Sequence, residues 1–376
     1  MRPLAIVSAD WHLRSDLRIW ASKEQPAGDV LVSIQAIVDY CKKFTPKYVI
    51  LAGDILNNSR TTSETVAILS QFSDEVAPYV EKILFIQGQH DYGSVPWLQA
   101  IGKNNFQYLA GDDKLLDIEY GVMIVGIDNK RSADAFYAEL SQKNLTTSFP
   151  VILVAHQLWK ENFSWGDCSL KELPPEITHV ISGDFHYSIL RQFSYSSRVL
   201  TFVSPGPIAP NNISESFGLD VYLLNAELLW NALPLPRRTF KQLTISSQEA
   251  LDFIVDEVRS EYEKSDLPEQ IRKPVLDVSI RASLFPILEE KVKDFAYVYL
   301  REFIPEVTLE ATKVRSSQEF SYDDIVLSQW NEEQPELLSA VQEALRLLRQ
   351  EGKFTFEPLY ETLSRTFERS RANATS

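Results

Sequence analysis

The chain has 376 residues and a mass of 42.9 kDa, with 44% hydrophobic and 24% charged side chains, which excludes disorder of the whole and fits two or three domains. Thirty-seven Lys and Arg against 52 Asp and Glu leave a formal net charge of −15, the wrong sign for holding nucleic acid by bulk electrostatics. The two cysteines, Cys41 and Cys168, form no zinc spacing, and no apolar run approaches a secretion signal or the roughly 18 residues of a membrane span, so a soluble protein in a reducing cytoplasm is expected.

In chain order, short and mostly β-branched apolar runs at 4–7, 48–51, 83–86, 122–127, 151–154, 180–181, 199–203 and 221–224 read as buried strands. Segments 30–44 and 63–80 between them carry a helical period, and after residue 180 the pattern becomes strand, turn, strand. The α/β class follows, as two mixed sheets packed face to face with helices outside, a four-layer α-β-β-α sandwich over residues 1–238. Pro234 and Pro236 punctuate its end. Residues 239–315 read as a small α+β domain, with strands at 240–245, 275–281 and 307–311 and helices at 247–262 and 287–303. An acidic linker is expected at 316–334. Residues 335–371 place Leu338, Val341, Leu345 and Leu348 on one helical stripe, and Phe356, Leu359, Tyr360, Leu363 and Phe367 on another. Those two amphipathic helices need a cover, either their own chain or a partner groove.

Four of the five histidines sit just past an apolar run, and three of those have an Asp within two residues. Asp10 and His12 follow the first strand, two apart, so both can project to one side. Gly53 and Asp54 follow the second, Gln89, His90 and Asp91 the third, His156 a later one, and Asp184 and His186 the next. Any one of these pairs alone reads as a polar turn. Together they bring carboxylates and imidazoles to the ends of strands that can converge along one sheet edge. Oxygen and imidazole donors without thiolates suit Mn, Fe or Mg-like ions, and a carboxylate such as Asp54 can bridge two, which points to a two-metal hydrolase, with a structural metal site as the alternative.

The order D-x-H, G-D, G-N-H-D, H, G-H-x-H resembles the calcineurin-like metallophosphoesterases, and within them the chain looks most like the SbcD-type nuclease subunit of the SbcCD DNA-repair complex. The subfamily likeness rests on 53–60 with Ser63 and Glu64, on 203–208 with Glu215, and on Lys273 and Pro274 inside a unit similar to that family's capping domain. The resemblance implies that Asp10, His12, Asp54 and His186 hold one ion, with Asp54 bridging, and that Gln89, His156 and Asp184 complete a second. His90 would stay unligated and stabilise the transition state or protonate the leaving oxygen. Two divalent ions are implied, Mn first and Mg second. Gln89 stands where the family has Asn, Asp184 where it has His, and Asn57 where the subfamily often has Asp or His to orient the catalytic histidine. The first two changes fall on the second ion's ligands.

The activity so implied is a metal-dependent DNA nuclease, a 3′ to 5′ exonuclease with single-strand endonuclease activity, acting by in-line attack of water on the scissile phosphorus. No Gly-x-x-x-x-Gly-Lys-Ser/Thr loop occurs, so an SbcC-like coiled-coil ATPase is the expected partner, bound through the C-terminal helices, and a homodimer is expected from the family. Two rivals stand beside this reading: a metallophosphoesterase of small phosphodiesters, and a catalytically impaired scaffold for the ATPase. Trp11, Trp97, Trp159 and Trp165, near the motifs, offer either core packing or stacking on bases.

Overall fold

A computed structural model describes residues 1–13, 28–59, 61–93, 95–111, 114–196, 198–210 and 219–304. Arg60, Glu215, the strand expected at 307–311, the linker at 316–334 and the helices at 335–371 lie outside them. In chain order come β1 (Ala5–Ser8), α1 (Gly28–Phe44), β2 (Tyr48–Ala52), α2 (Ser63–Val76), β3 (Lys82–Ile86), α3 (Trp97–Ala100), β4 (Phe106–Tyr108), β5 (Lys114–Asp117) and β6 (Val122–Ile127). There follow α4 (Ala133–Gln142), β7 (Val151–His156), β8 (Ile177–Gly183), β9 (Ile189–Tyr195), β10 (Arg198–Ser204), β11 (Asp220–Leu224) and β12 (Trp230–Pro234).

These strands make two six-stranded sheets, ordered β12-β11-β1-β2-β3-β4 and β5-β6-β7-β8-β10-β9. The period of two along each strand divides the apolar side chains between layers. On β2, Val49 and Leu51 join a core with Ile37 and Cys41 of α1 and Leu69 and Phe72 of α2. Tyr48, Ile50 and Ala52 of the same strand face the other way, into a core shared with Val122, Ile152 and Ile181 of the second sheet. The second sheet's far face, with Val125, Leu153 and Phe202, packs on Phe136 and Leu140 of α4. Helix, sheet, sheet, helix is the four-layer sandwich, and Cys41 and Cys168 are buried free thiols within it. Helix α2, capped by the Thr62 side chain accepting from the Thr65 N–H, stops at Val76 rather than running to residue 80, because Pro78 follows and cannot continue the hydrogen-bond ladder.

The chain continues as β13 (Phe240–Ile245), α5 (Gln248–Lys264), α6 (Glu269–Arg272), β14 (Val275–Arg281), α7 (Phe285–Val292) and β15 (Tyr297–Ile304). All three strands pair in parallel, in the order β13-β14-β15, and bury their own core, including Val255, Val278, Ile280 and Leu288. The helix expected over 287–303 is thus wrong in its second half: the chain is helical only to Val292, and Tyr297 to Ile304 form a strand. The run from Tyr297 through Val298, Tyr299 and Leu300 to Phe303 is aromatic and β-branched, and an open edge of β14 was available to pair it. Among the described residues no helix is long and apolar enough to cross a membrane.

Candidate metal centre

The loops that leave β1 and β2 keep pairing after the strands end. The Asp10 N–H donates to the Gly53 carbonyl at 3.0 Å, that of His12 to Asp54 at 3.0 Å and that of Leu13 to Ile55 at 3.0 Å. Side chains that would alternate faces are instead turned by backbone twist: Asp10, His12, Asp54 and Asp184 adopt left-handed φ of 51°, 46°, 49° and 74°. Left-handed backbone is rare for residues with a Cβ and is held only where its surroundings fix it. Here it gathers side chains from the ends of β1, β2 and β8 at one edge.

Glycines let that edge close. A Cβ on Gly88 would come within 2.1 Å of Asp54 Oδ1, and one on Gly183 within 2.4 Å of His156 Nδ1. Gly53 sits at φ 89° with its missing Cβ 2.4 Å from the same ring nitrogen.

Asp10, Asp54 and His156 are fully buried. His156 Nδ1 lies 2.8 Å from the Ala52 carbonyl, which can only accept, so Nδ1 carries the proton and Nε2 is turned inward. That Nε2 lies 3.3 Å from Asp54 Oδ2, 3.9 Å from Asp10 Oδ1 and 3.9 Å from Asp184 Oδ1. His12 and His186 approach Nε2 to Nε2 at 3.2 Å, and His186 Nε2 is 3.8 Å from Asp10 Oδ1. His90 Nε2 is 3.8 Å from Asp54 Oδ2, while its backbone N–H donates to Asp54 Oδ1 at 2.8 Å. The Gln89 amide donates to Asp184 Oδ1 at 2.7 Å, so two of the side chains that set this sequence apart from the pattern it resembles meet each other.

Burial pushes Asp10 up to about 6, against the pull of His156 and His186. Burial lowers His12 to about 3, only partly offset by Asp54. His156 goes the other way: burial depresses it, but the carboxylates of Asp54, Asp10 and Asp184 outweigh that and raise it to about 10. Burial raises Asp54 too, yet His156, His12 and the His90 N–H hold it below the usual carboxylate range. This pocket of oxygens calls for positive charge at its centre.

The donor set fits metal ions on an independent ground. Asp10 Oδ2, Asp54 Oδ2 and His156 Nε2 are buried without any hydrogen-bond partner, an arrangement that costs free energy unless something else occupies them. Three groups, Asp10 with His12 and His186, His12 with Asp54 and His90, and Asp10 with Asp54 and His156, each bring donor atoms within 4.8 Å of one another, the span expected of atoms sharing one ion. All eight residues singled out from the sequence lie at this edge, with Asp184 half-buried and Gln89 exposed.

Supporting residues were less legible. His90 Nδ1 is held at 2.9 Å by the backbone carbonyl of Asn57, not by its side chain, so the absence of Asp or His there leaves the histidine oriented. Asp91 accepts from the N–H groups of Ile55, Leu56 and Gly88 at 3.2, 2.7 and 2.9 Å, stapling two site loops together. Asn129 joins two others: its N–H donates to the Gln87 carbonyl at 2.9 Å and its amide to the His156 carbonyl at 2.8 Å. No local sequence signal marks Asn129, because its partners lie on other strands.

One family comparison agrees with this geometry. Residues 5–188 match the family model described as calcineurin-like phosphoesterase, a span that begins with β1 and ends just past His186. The crystal structure of TT1561 of Thermus thermophilus is similar at 11% identity and a TM-score of 0.41, covering 62% of this chain and 99% of that one. No curated protein matches the chain.

Proposed function

We propose that the calcineurin-like phosphoesterase domain over residues 5–188 makes this chain a DNA nuclease that uses two divalent ions, Mn or Mg, and works with an SbcC-like ATPase. A metal-dependent phosphoesterase is what the domain supports; DNA as substrate, the ATPase and a dimer of nuclease subunits rest on the SbcD-like passages of the sequence. The observation that carries the reading is the meeting of orphaned Asp10, Asp54 and His156 atoms with His90 at one edge.

Asp10, His12, Asp54 and His186 would hold one ion, and Asp54, His156, Asp184 and the Gln89 amide oxygen the other. Bound there, divalent ions would supply positive charge against the phosphoryl oxygens and acidify the attacking water. His90, its Nδ1 fixed by Asn57, turns Nε2 toward the cluster and is placed to hold a proton for the departing sugar oxygen. Asp54 orients His90 in turn by accepting its backbone N–H. The burial of Asp10, Asp54 and His156 keeps bulk water from competing for these contacts.

A second reading is favoured by one contact. The Gln89 amide occupies Asp184 Oδ1 at 2.7 Å, and if that bond persists with metal present, the second ion binds weakly and the chain serves its ATPase as a scaffold. End-labelled single-stranded and duplex DNA with Mn or Mg separates the readings. Cleavage that disappears in both Asp54→Asn and His90→Ala supports the nuclease; hydrolysis of a small phosphodiester with DNA untouched supports the small-substrate enzyme. An ATPase that co-purifies with an inert chain supports the scaffold.

A further inference from the structure

Trp11 and Trp159 are core residues, each 1% exposed, whereas Trp165 is 66% exposed. Its loop is nonetheless tightly built. Lys160 and Cys168 pair across its base, the Lys160 N–H donating to the Cys168 carbonyl at 2.8 Å, and the Gly166 N–H donates to the Phe163 carbonyl at 3.0 Å. A Cβ on Gly166 would lie 2.5 Å from the Trp159 carbonyl carbon, so glycine is what lets the loop fold back and present the neighbouring ring. A large indole on a rigid loop loses little conformational entropy when something covers it.

That indole belongs to a row of rings leading to the metal edge. Trp165 lies over Phe163 with centroids 4.6 Å apart and planes at 33°. Phe163 meets Phe185 edge to face at 4.3 Å, and Phe185 contacts Tyr187 at 5.2 Å. Phe185 is buried between Asp184 and His186, and Tyr187 is 46% exposed. Phe185, inside the row, therefore neighbours two site residues in sequence, while both ends of the row, Trp165 and Tyr187, are open aromatic faces.

We propose that Trp165, seated on Phe163 at one end of this row, is the stacking site for the nucleobase beside the scissile phosphate, so that unpaired bases are bound in preference to paired ones. Duplex bases cover both faces by stacking on their neighbours, whereas an end or single strand leaves a face free, and aromatic faces accept any base. Such a site also supplies affinity that a chain of net charge −15 cannot draw from bulk electrostatics. The inference rests on the nuclease reading above.

Two substrates and two variants test it: a single-stranded oligonucleotide, the same oligonucleotide with abasic sites flanking the cut, and Trp165→Ala and Trp165→Phe. For Trp165→Ala, KM on the base-bearing strand should rise between about fivefold and about a hundredfold with kcat little changed, while the abasic strand is cut as by the wild type. Trp165→Phe should recover most of the loss. Without divalent ions, oligothymidylate should quench tryptophan fluorescence more in the wild type than in Trp165→Phe. Equal losses on both substrates, or no loss and no difference in quenching, overturn the stacking site while leaving the nuclease standing. A wild type that hydrolyses a small phosphodiester but no DNA overturns both.

Discussion

Two clusters of buried charge stand in opposite conditions. Asp29, at the start of α1, and Arg238, just past β12, are 5% and 3% exposed, and every nitrogen of the guanidinium donates. It donates to Asp29 at 2.6 Å and 3.1 Å, to the Gln270 carbonyl at 2.6 Å and to the Lys273 carbonyl at 2.5 Å, tying the sandwich to α6 and the approach to β14. At the metal edge Asp10, Asp54 and His156 are buried as deeply, yet each has an atom with no hydrogen-bond partner. Ionic groups that serve the fold are saturated by it. Those left open are held in a costly state by the rest of the structure, which is the condition of groups that await a ligand.

The largest effect expected from that contrast is at the saturated cluster. Arg238→Met strands the Asp29 carboxylate, and urea unfolding should show a loss of about 3–5 kcal/mol, most of it recovered in the double variant with Asp29→Leu. Asp10→Asn should do the reverse. Its amide oxygen can still accept the Asp184 N–H, now received by Asp10 Oδ1 at 3.1 Å, so the urea midpoint in chelator should not fall. Phosphodiester hydrolysis with Mn should nevertheless drop by about a hundredfold or more. Were Asp10→Asn as destabilising as Arg238→Met, the two clusters would be of one kind and the comparison would fail.

Gly88→Ala sharpens the contrast from the backbone side. The new methyl would meet Asp54 Oδ1 at 2.1 Å and the Asp54 backbone nitrogen at 2.5 Å, so the carboxylate and the chain that carries it must shift although no charge is removed. Activity should fall about 10- to 100-fold and stability by about 1–3 kcal/mol, measured side by side on one preparation.

Much of the metal edge was readable in the sequence because its chemistry clusters locally. Asp10 with His12, Gln89 with His90, and Asp184 with His186 each follow an apolar run, and strand ends on one edge bring them together. The sandwich was readable for the same reason, since apolar runs such as 122–127 and 151–154 carry their own secondary structure. What escaped depends on partners distant in the chain. Nothing near Arg238 announces Asp29, 209 residues away, and nothing near Asn129 announces the His156 carbonyl. Asn57 acts through its carbonyl, which any residue would supply. The segment 297–304 alternates too weakly to outvote a helical period until β14 offers it an edge.

The smallest effect concerns the one histidine outside the edge. His179 lies on β8, the strand that ends at Gly183 beside the site, but its Nδ1 is 2.9 Å from the Thr178 hydroxyl and its ring is 6.3 Å from that of Trp230. Burial lowers it to about 4 from an ordinary 6.5, with a backbone contact at Leu228 opposing. The unfolded chain therefore takes up a proton near pH 6.5 that the folded chain refuses until about pH 4. Stability should fall as pH drops through that window and be untouched by this group above it. Relative to His179→Phe, the wild type should lose about 1 kcal/mol between about pH 7.5 and about pH 5.5. Because His179 has its partners and stands apart from the open donors, that difference should be the same with Mn as with chelator. A difference that changed with metal would place His179 in the unsaturated cluster and erase the division drawn along β8.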